Sequence, residues 1–373
     1  MQIKGAAALQ EDVLNKDLCV DCGACVGLCP YFKSHGGKIA MLFPCTLDQG
    51  RCHAHCPKVE VDLERISAGV MAKPYDGSPL GHHRAIWKAR AGVEMRGKGS
   101  FQNGGTVTAL IAYALKSGVI EAAALTGSEG LVAVPVLART EEEVIACAGT
   151  KYMAAPTVAS VNEYTRSGKE KLGAVGTPCQ VTAIAQMRLD PLNKADFRDS
   201  VALTVGLFCT WAVDTRKFDT LIRKTTAGSE VLGMDVPPPP AAIMEVKTAW
   251  EKFAIPLDDI RKTIPGGCGI CPDMTAEFAD LSVGALEGDT PWNTLIVRSA
   301  KGAALVEQAA AGGYLELAEI ARASLDNLVR GAAGKKKRAL RKAQAENLLN
   351  ADPANGRSAL VIDERVVERI LAA

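Results

Sequence analysis

The sequence of 373 residues predicts an α+β fold in three parts. Seven of its twelve cysteines lie between residues 19 and 56, in a stretch without long helical periodicity. From about residue 85, predicted strands alternate with helices, which indicates an α/β domain. A basic stretch near residue 335 lies on a predicted helix, where it is expected to be a solvated face, with contact to an acidic partner or a cofactor tail as the alternative. We therefore expect a cysteine-rich domain over 1–75, an α/β domain over 83–330 and a basic helical tail over 331–373.

The first four cysteines follow the pattern C-x2-C-x2-C-x3-C-P. They are Cys19, Cys22, Cys25 and Cys29, and Pro30 follows. In bacterial-type ferredoxins the first three thiolates of this pattern hold one iron–sulfur cluster, and the fourth serves a second cluster. A zinc site favours two separated C-x2-C pairs instead. The sequence therefore predicts a two-cluster ferredoxin-like domain at the N-terminus.

The second cysteine run of this domain is incomplete. It contains Cys45, Cys52 and Cys56 before a proline, and it lacks the middle cysteine of a full motif. Because the last cysteine of each run serves the other cluster, Cys56 is predicted to complete the first cluster. The two predicted ligand sets are Cys19, Cys22, Cys25 and Cys56 for the first [4Fe-4S] cluster, and Cys29, Cys45 and Cys52 for the second.

Three thiolates leave the second cluster open to two interpretations. It is a three-iron [3Fe-4S] cluster, or a four-iron cluster with a ligand other than cysteine. Asp48 lies near the missing position, and His53 and His55 are close to it in sequence. The alternative for the two histidines is that they are ordinary surface residues of a loop. An EPR signal from an oxidised three-iron centre would support the first interpretation.

Composition excludes several classes of function. The formal net charge is +1, so the chain has no overall attraction to nucleic acid or to a membrane surface. No uninterrupted apolar run reaches the roughly 18 residues that a membrane span needs. The first residues turn acidic without a long apolar core, so we expect no signal peptide. With cysteines in cluster spacing, these observations predict a protein of the reducing cytoplasm, without direct membrane insertion.

Buried strands and helices of the second domain are predicted from short apolar runs. A glycine-rich loop over 97–105 leads into one of the helices. Glycines let a backbone approach a pyrophosphate, and the amides at a helix N-terminus favour negative charge. A simple tight turn explains the Gly104-Gly105 pair equally well. The predicted strands are 85–91, 122–126, 132–137, 172–176 and 201–208, and the predicted helices are 107–115 and 141–147.

Four more cysteines lie far apart in the second domain. Cys179 and Cys209 follow predicted buried strands, so their side chains are placed to converge at one sheet edge. Cys268 and Cys271 form a C-x2-C pair. Together they make a four-thiolate site, although spacing alone favours this no more than four independent core cysteines.

Several separated stretches of this domain resemble one family, the beta subunits of coenzyme F420-reducing hydrogenases. F420-dependent formate dehydrogenase beta subunits, the input subunit of F420H2 dehydrogenase and hydroxymethyl-chlorophyll reductase also belong to it. The similarity covers residues 84 to about 330, and the N-terminal ferredoxin segment is similar to that of some members. The matching stretches are residues 102–115, 148–152, 171–180 and 267–284.

The resemblance implies a flavoprotein that holds FAD and one cluster in the second domain. It implies that Cys179, Cys209, Cys268 and Cys271 are the ligands of that cluster. It also implies that the glycine loop and the start of its helix face the FAD, with a lysine that stabilises a reduced, anionic flavin. The candidate cofactor-binding residues are Gln102, Asn103, Gly104, Gly105, Thr106, Thr108, Thr150, Lys151 and Tyr152.

These features together predict an oxidoreductase subunit of a larger redox complex. A hydride is exchanged with F420 or NAD(P)H at the FAD, and the clusters relay single electrons to a partner such as a hydrogenase or formate dehydrogenase subunit. No side-chain nucleophile or acid–base pair is expected to be essential. The alternatives are an electron-transfer module without substrate chemistry, and a stand-alone reductase of an organic substrate.

Overall fold

The computed structural model describes residues 3–99, 101–237, 240–351 and 357–372. Two π-helical turns, Gln10–Leu14 and Ser67–Met71, and a 3₁₀ turn, Val93–Met95, supplement the α-helices. The α-helices are α1 (Ala6–Leu9), α2 (Arg51–Ala54), α3 (Leu63–Ile66), α4 (Thr106–Lys116), α5 (Glu141–Ala146), α6 (Val158–Arg166), α7 (Pro178–Arg188), α8 (Thr215–Thr225), α9 (Leu257–Arg261), α10 (Gly266–Gly269), α11 (Ala300–Ala311), α12 (Arg322–Ala345) and α13 (Glu364–Ala372).

The strands form one large sheet and three small ones. They are β1 (Phe32–His35), β2 (Lys38–Met41), β3 (Val61–Asp62), β4 (Ala85–Ala91), β5 (Ala122–Glu129), β6 (Val132–Ala138), β7 (Leu172–Gly176), β8 (Val201–Leu207), β9 (Val231–Asp235), β10 (Ile243–Thr248), β11 (Lys252–Pro256), β12 (Leu281–Ala285), β13 (Asn293–Val297), β14 (Leu315–Ala318) and β15 (Leu360–Val361).

The large sheet has eight strands in the order β14-β4-β13-β12-β8-β7-β5-β6. Its centre is parallel, from β5 through β7 and β8 to β12, and the remaining pairs are antiparallel. Every residue of β7 and β13 is buried, as expected for strands that are covered on both faces. The predicted mixture of helices and strands is confirmed, and the five predicted strands coincide with β4, β5, β6, β7 and β8 within three residues at each end.

A second, three-stranded antiparallel sheet contains β9, β10 and β11 in the order β11-β10-β9. Its burial alternates along β10, with Met244 and Val246 fully buried and Glu245 and Lys247 more exposed. The sequence analysis did not predict this sheet. It places Asp235, at the end of β9, close to the glycine-rich loop.

The N-terminal and C-terminal parts of the chain pack together. β3 and β15 form a parallel pair in which Val61 lies opposite Leu360. One hydrophobic cluster contains Phe32 from the N-terminal part, Ile270 from the middle part and Ile370 from the C-terminal part. The three predicted parts therefore share a core, and α12 crosses the predicted boundary at residue 330. The predicted domain limits themselves stay a prediction.

The basic stretch of the tail is only partly solvated. Lys335 and Lys336 on α12 are 6% and 1% exposed, so a solvated face is the wrong expectation for these two residues. Both ammonium groups bind acceptors in the protein interior. Within the described ranges, no helix is both long and apolar enough to cross a membrane.

Candidate functional site

Two cysteines lie at the carboxyl ends of neighbouring strands in the large sheet. β7 leads through Thr177 into α7, whose first turn contains Cys179, and Cys209 lies two residues beyond the end of β8. The Thr177 amide donates to Oε1 of Gln180 at 2.8 Å, which fixes the start of this helix. Because β7 and β8 are parallel neighbours, the two cysteines lie at the same sheet edge, as the sequence predicts.

Cys268 and Cys271 approach the same place from the short helix α10. The Cys209 amide donates to the carbonyl of Met274 at 2.9 Å, which ties the two loops together. Burial, and then the charges of Cys271 and Cys268, raise the pKa of Cys179 to about 11. Burial and the charges of the other three thiols also raise the pKa of Cys209, whereas the charge of Lys335 lowers it. These four residues, Cys179, Cys209, Cys268 and Cys271, are within electrostatic reach of one another and are called the core cysteine group.

The four cysteines predicted for the first N-terminal cluster also lie together. Burial raises the pKa of Cys22 well above its ordinary value, and the charges of Cys56, Cys179 and Cys25 add to the shift. The pKa of Cys25 is raised by burial and then by Cys56 and Cys19. Cys19, Cys22, Cys25 and Cys56 are called the inner cysteine group.

The remaining N-terminal cysteines form a third group. Burial, and then the charges of Cys29 and Cys45, raise the pKa of Cys52 to about 11. Cys29 and Cys45 are half-buried, whereas Cys52 is buried. Cys29, Cys45 and Cys52 are called the outer cysteine group.

The three groups are arranged in series. Cys22 of the inner group lies in a hydrophobic cluster against which Cys179 and Cys268 of the core group pack. Cys25 of the inner group shares a second hydrophobic cluster with Cys52 of the outer group. The inner group therefore lies between the other two.

The residues near the missing fourth ligand differ in burial. His53 and His55 are 2% and 7% exposed, so the interpretation that they are surface residues is wrong. Nδ1 of His53 accepts from the Lys4 amide at 3.3 Å. Nδ1 of His55 is buried and has no hydrogen-bond partner among the described residues. Asp48 is exposed, and each of the three stays a candidate ligand.

The chemistry of the donor sets fits iron–sulfur clusters. Four thiolates on a zinc ion surround one atom, whereas the thiolates of an iron–sulfur cluster bind different iron atoms and lie farther apart. In the described part of the chain, no three or more His, Cys, Asp or Glu side chains are grouped closely enough to hold one metal ion. Burial raises the pKa of Cys179 and Cys52, so these thiols must release protons when they bind a metal.

A lysine that the sequence analysis missed joins the two loops of the core group. Nζ of Lys335 donates to the carbonyl oxygens of Cys209 at 2.6 Å and of Asp273 at 2.7 Å. Burial lowers the pKa of Lys335, but the charges of Cys271 and Cys209 outweigh this and raise it. Lys335 therefore places a permanent positive charge beside the core group. The basic run in the sequence was the only signal of it.

A cleft of about 470 Å³ opens beside the glycine-rich loop. This volume lies within the range of about 300–1,000 Å³ that is typical of ligand pockets. Three predicted residues, Gln102, Asn103 and Gly104, line it. No sequence signal indicated Thr290 and Pro291 in the lining. The full lining is Ala91, Gly92, Met95, Arg96, Gly97, Gly99, Phe101, Gln102, Asn103, Gly104, Thr290 and Pro291.

The two adjacent glycines are required by local packing. A Cβ on Gly104 would lie 2.7 Å from Oδ1 of Asn293, and Gly105 has a φ of +71° at the N-cap of α4. Both threonines of the next turn are buried, and the Thr106 hydroxyl donates to the Ala89 carbonyl at 2.9 Å. Gly105, Thr106 and Thr108 therefore lie behind the wall of the cleft rather than in it.

Gln102 connects the glycine-rich loop to the other predicted flavin residues. Its Oε1 accepts from the Thr150 amide at 2.8 Å, and its Nε2 donates to Oδ1 of Asp235 at 3.1 Å. Burial, and then the charge of Asp235, raise the pKa of Tyr152 to about 12. Nζ of Lys151 donates to the carbonyl oxygens of residues 147–149, which directly follow α5. The segment is adjacent to the loop, but it is not part of the cleft lining.

Comparison with known proteins identifies related oxidoreductases. The chain is 33% identical over 242 residues to coenzyme F420 hydrogenase subunit beta of Methanothermobacter thermautotrophicus, covering 64% of this chain and 85% of that protein. A chain of the F420-reducing [NiFe] hydrogenase complex from Methanosarcina barkeri superimposes with a TM-score of 0.65 at 29% identity, covering 72% of this chain and 93% of that chain. A ferredoxin of Pyrobaculum islandicum is 31% identical over 81 residues, which is 21% of this chain and 71% of that protein. The predicted class, an oxidoreductase, is confirmed.

Family models define the assignment more narrowly. The model of the coenzyme F420 hydrogenase/dehydrogenase beta subunit N-terminus matches residues 86–162, and the model of its C-terminus matches residues 169–323. The chain belongs to the coenzyme F420 hydrogenase/dehydrogenase beta subunit family, as the resemblance in the sequence predicts. The two matches cover the large sheet from β4 to β14, including the core cysteine group.

Proposed function

We propose that this chain is the iron–sulfur flavoprotein subunit of an F420- or NAD(P)H-linked oxidoreductase. In this proposal it exchanges a hydride with the two-electron carrier and passes single electrons to or from a partner subunit, such as a hydrogenase or formate dehydrogenase. The observation that carries the proposal is the series of core, inner and outer cysteine groups, in which Cys22 packs in one cluster with Cys179 and Cys25 in another with Cys52. The family of the chain supports F420 as the carrier.

The cleft beside the glycine-rich loop is the proposed FAD site. Bound FAD would supply the exchange between hydride and single-electron chemistry. Gln102, Asn103 and Gly104 line the cleft and are proposed to contact it, and the buried Thr106 holds the start of α4 in place. Gly105 and Thr108 are proposed to shape the wall, and Thr150, Lys151 and Tyr152 to support it through Gln102.

In the proposed relay, the protein contributes burial of the clusters and a positive charge beside one of them. The core and inner groups are proposed to hold one [4Fe-4S] cluster each, and the outer group a [3Fe-4S] cluster or a four-iron cluster with a further ligand. Burial of Cys22 and Cys25 limits the access of water to the inner group. Lys335 compensates negative charge at the core group. No side chain is assigned as a catalytic acid, base or nucleophile.

A second candidate function is an electron-transfer module without its own flavin chemistry. The packing of the glycine pair favours it, because the contact of Gly104 with Asn293 and the positive φ of Gly105 account for both glycines without a ligand. In that case the core and inner groups would still form a relay. The flavin content of the purified protein separates the two candidates.

The decisive experiment is anaerobic purification followed by flavin and iron analysis and by reduction with defined carriers. We expect bound FAD, iron for three clusters, and bleaching of the flavin spectrum by reduced F420 or by NAD(P)H. Flavin content near zero would favour the electron-transfer module. Bleaching by neither carrier would overturn the carrier assignment, and activity of the isolated chain on an organic substrate would favour a stand-alone reductase.

A further inference from the structure

The loop that contains Cys45 of the outer group exposes three large apolar side chains. Leu42, Phe43 and Leu47 are 53%, 60% and 67% exposed. They all lie within three residues of Cys45, and this loop has no helix or strand. Exposed apolar side chains that cluster in this way mark interaction sites, whereas single ones are ordinary.

Contacts with neighbouring segments hold this loop in place. The Leu42 amide donates to the Tyr31 carbonyl at 2.8 Å, and the rings of Tyr31 and Phe43 pack edge to face at 6.2 Å. On the other side, the Gly50 amide donates to the Lys4 carbonyl at 3.1 Å. The apolar side chains therefore belong to a preformed surface, which reduces the entropic cost of binding a partner.

Exposed basic residues lie in the segments that flank the apolar side chains. In the hairpin of β1 and β2, Lys33 lies opposite Ala40 and His35 lies opposite Lys38, and all four are exposed. Lys4 is exposed next to the other end of the loop.

Asp48 is the acidic side chain of the loop itself. The lysines of the border, Lys4, Lys33 and Lys38, outnumber it, so the surface carries net positive charge. An apolar centre with a charged rim is the usual composition of a transient protein interface.

We propose that the surface formed by Leu42, Phe43 and Leu47, with its rim of Lys4, Lys33 and Lys38, docks an acidic electron-carrier protein. This inference rests on the proposed function, in which the outer cysteine group is the end of the relay. Complementary charge steers such an encounter and raises its rate. A second copy of this chain fits less well, because a two-fold contact places the same surface on itself and brings like charges together.

The test is the bimolecular rate of electron transfer from a reduced, acidic bacterial-type ferredoxin to the oxidised full chain. In this step the ferredoxin loses one electron and the chain gains it. We expect the rate of the unmodified protein to fall as salt rises. The charge-reversed variant K33E/K38E and the polar variant L42S/F43S/L47S should each react at least about tenfold more slowly.

Two controls make the result specific. Reduced methyl viologen, a small cationic donor, should reduce all variants equally or reduce K33E/K38E slightly faster. The variant L232S/W250S removes exposed apolar side chains from the sheet of β9 to β11, where Leu232 is 58% and Trp250 is 92% exposed, and should react like the unmodified protein.

Other outcomes overturn the inference. Unchanged ferredoxin rates in both surface variants would exclude this docking site, provided that iron analysis shows the clusters present. A dimer in sedimentation that L42S/F43S/L47S dissociates would assign the surface to a second copy instead. Protein purified without iron in the N-terminal groups would contradict the proposed function rather than the docking surface, so the two failures are distinguishable.

Discussion

The core and outer cysteine groups offer the same thiol side chains but have different structural support. Cys179 and Cys209 follow strands of the large sheet, and a buried lysine ties the loops of the core group together. Cys45 lies in an exposed loop without a helix or strand. The difference indicates two roles: the loops of the core group are tied to each other by hydrogen bonds, and the outer group is placed where another molecule can approach it.

The largest effect is expected from replacing one cysteine in each group, Cys179 in the core group and Cys45 in the outer group. Cys179→Ser should eliminate the core centre and reduce electron transfer from the two-electron carrier to a one-electron dye to background, because it breaks the relay at its first step. Cys45→Ser should leave transfer to the dye largely intact and remove transfer to a protein acceptor. Iron analysis, EPR and steady-state rates measure both.

Equal loss in the two serine variants would contradict the serial arrangement. It would mean that the outer centre is needed for the core centre to form or to react. Unfolding midpoints of the two variants are the necessary control, since a loss of the fold would reduce both activities alike.

Removal of iron should also distinguish the two groups. We expect a chelator under anaerobic conditions to extract the outer iron first, because Cys45 lies in a loop of exposed residues and one cysteine is missing from this set. The core EPR signal should persist longer. Extraction of both signals at one rate would mean that the protein opens as a unit before iron leaves.

Loss of a charged side chain near the core group should also lower the free energy of unfolding more than a similar loss near the outer group. Lys336 donates to Glu277 at 2.6 Å, with the two side chains 1% and 5% exposed. Burial lowers the pKa of Lys336, but the Glu277 carboxylate outweighs this and raises it. Because Lys336→Met leaves a buried carboxylate without its partner, we expect it to lower the free energy of unfolding by about 3–5 kcal/mol.

Denaturant unfolding measures this loss, with two lysines as matched controls. Lys342→Met on the same helix removes a half-exposed pair with Glu346 at 3.7 Å and should cost less than about 0.5 kcal/mol. Lys33→Met on the outer side should lie within about 0.5 kcal/mol of the unmodified protein. A small effect of Lys336→Met would show that Glu277 is protonated or hydrated after the substitution.

Features that depend on short, local sequence patterns were predictable from the sequence. The membership of the inner group follows from the ferredoxin motif, and β7 and β8 follow from apolar runs of five to eight residues. The convergence of Cys179 and Cys209 then follows from the parallel pairing of these strands.

Long-range contacts were not predictable in this way. Lys335 lies in a basic run that is typical of a solvated helix, and only the packing of α12 against the cysteine loops buries it. His53 and His55 have no local signal of burial, and Thr290 reaches the cleft from a loop far along the chain. The pairing of β3 with β15 joins the two ends of the chain, and no pattern within either segment indicates its partner.

The smallest expected effect is a shift in the midpoint potential of the core centre alone. Lys335 adds a buried positive charge beside Cys209, and positive charge stabilises the more negative, reduced state of a cluster. Lys335→Met should therefore make the midpoint potential of the core centre more negative. Lys335→Arg keeps the positive charge and should leave that potential close to the value of the unmodified protein. The potential of the outer centre should not change in either variant. Redox titration followed by EPR measures each potential separately, and Lys336→Met serves as the neighbouring control. An equal shift at both centres would show that the substitution acts through the fold, whereas a core-specific shift would confirm that the two regions differ in charge as well as in exposure.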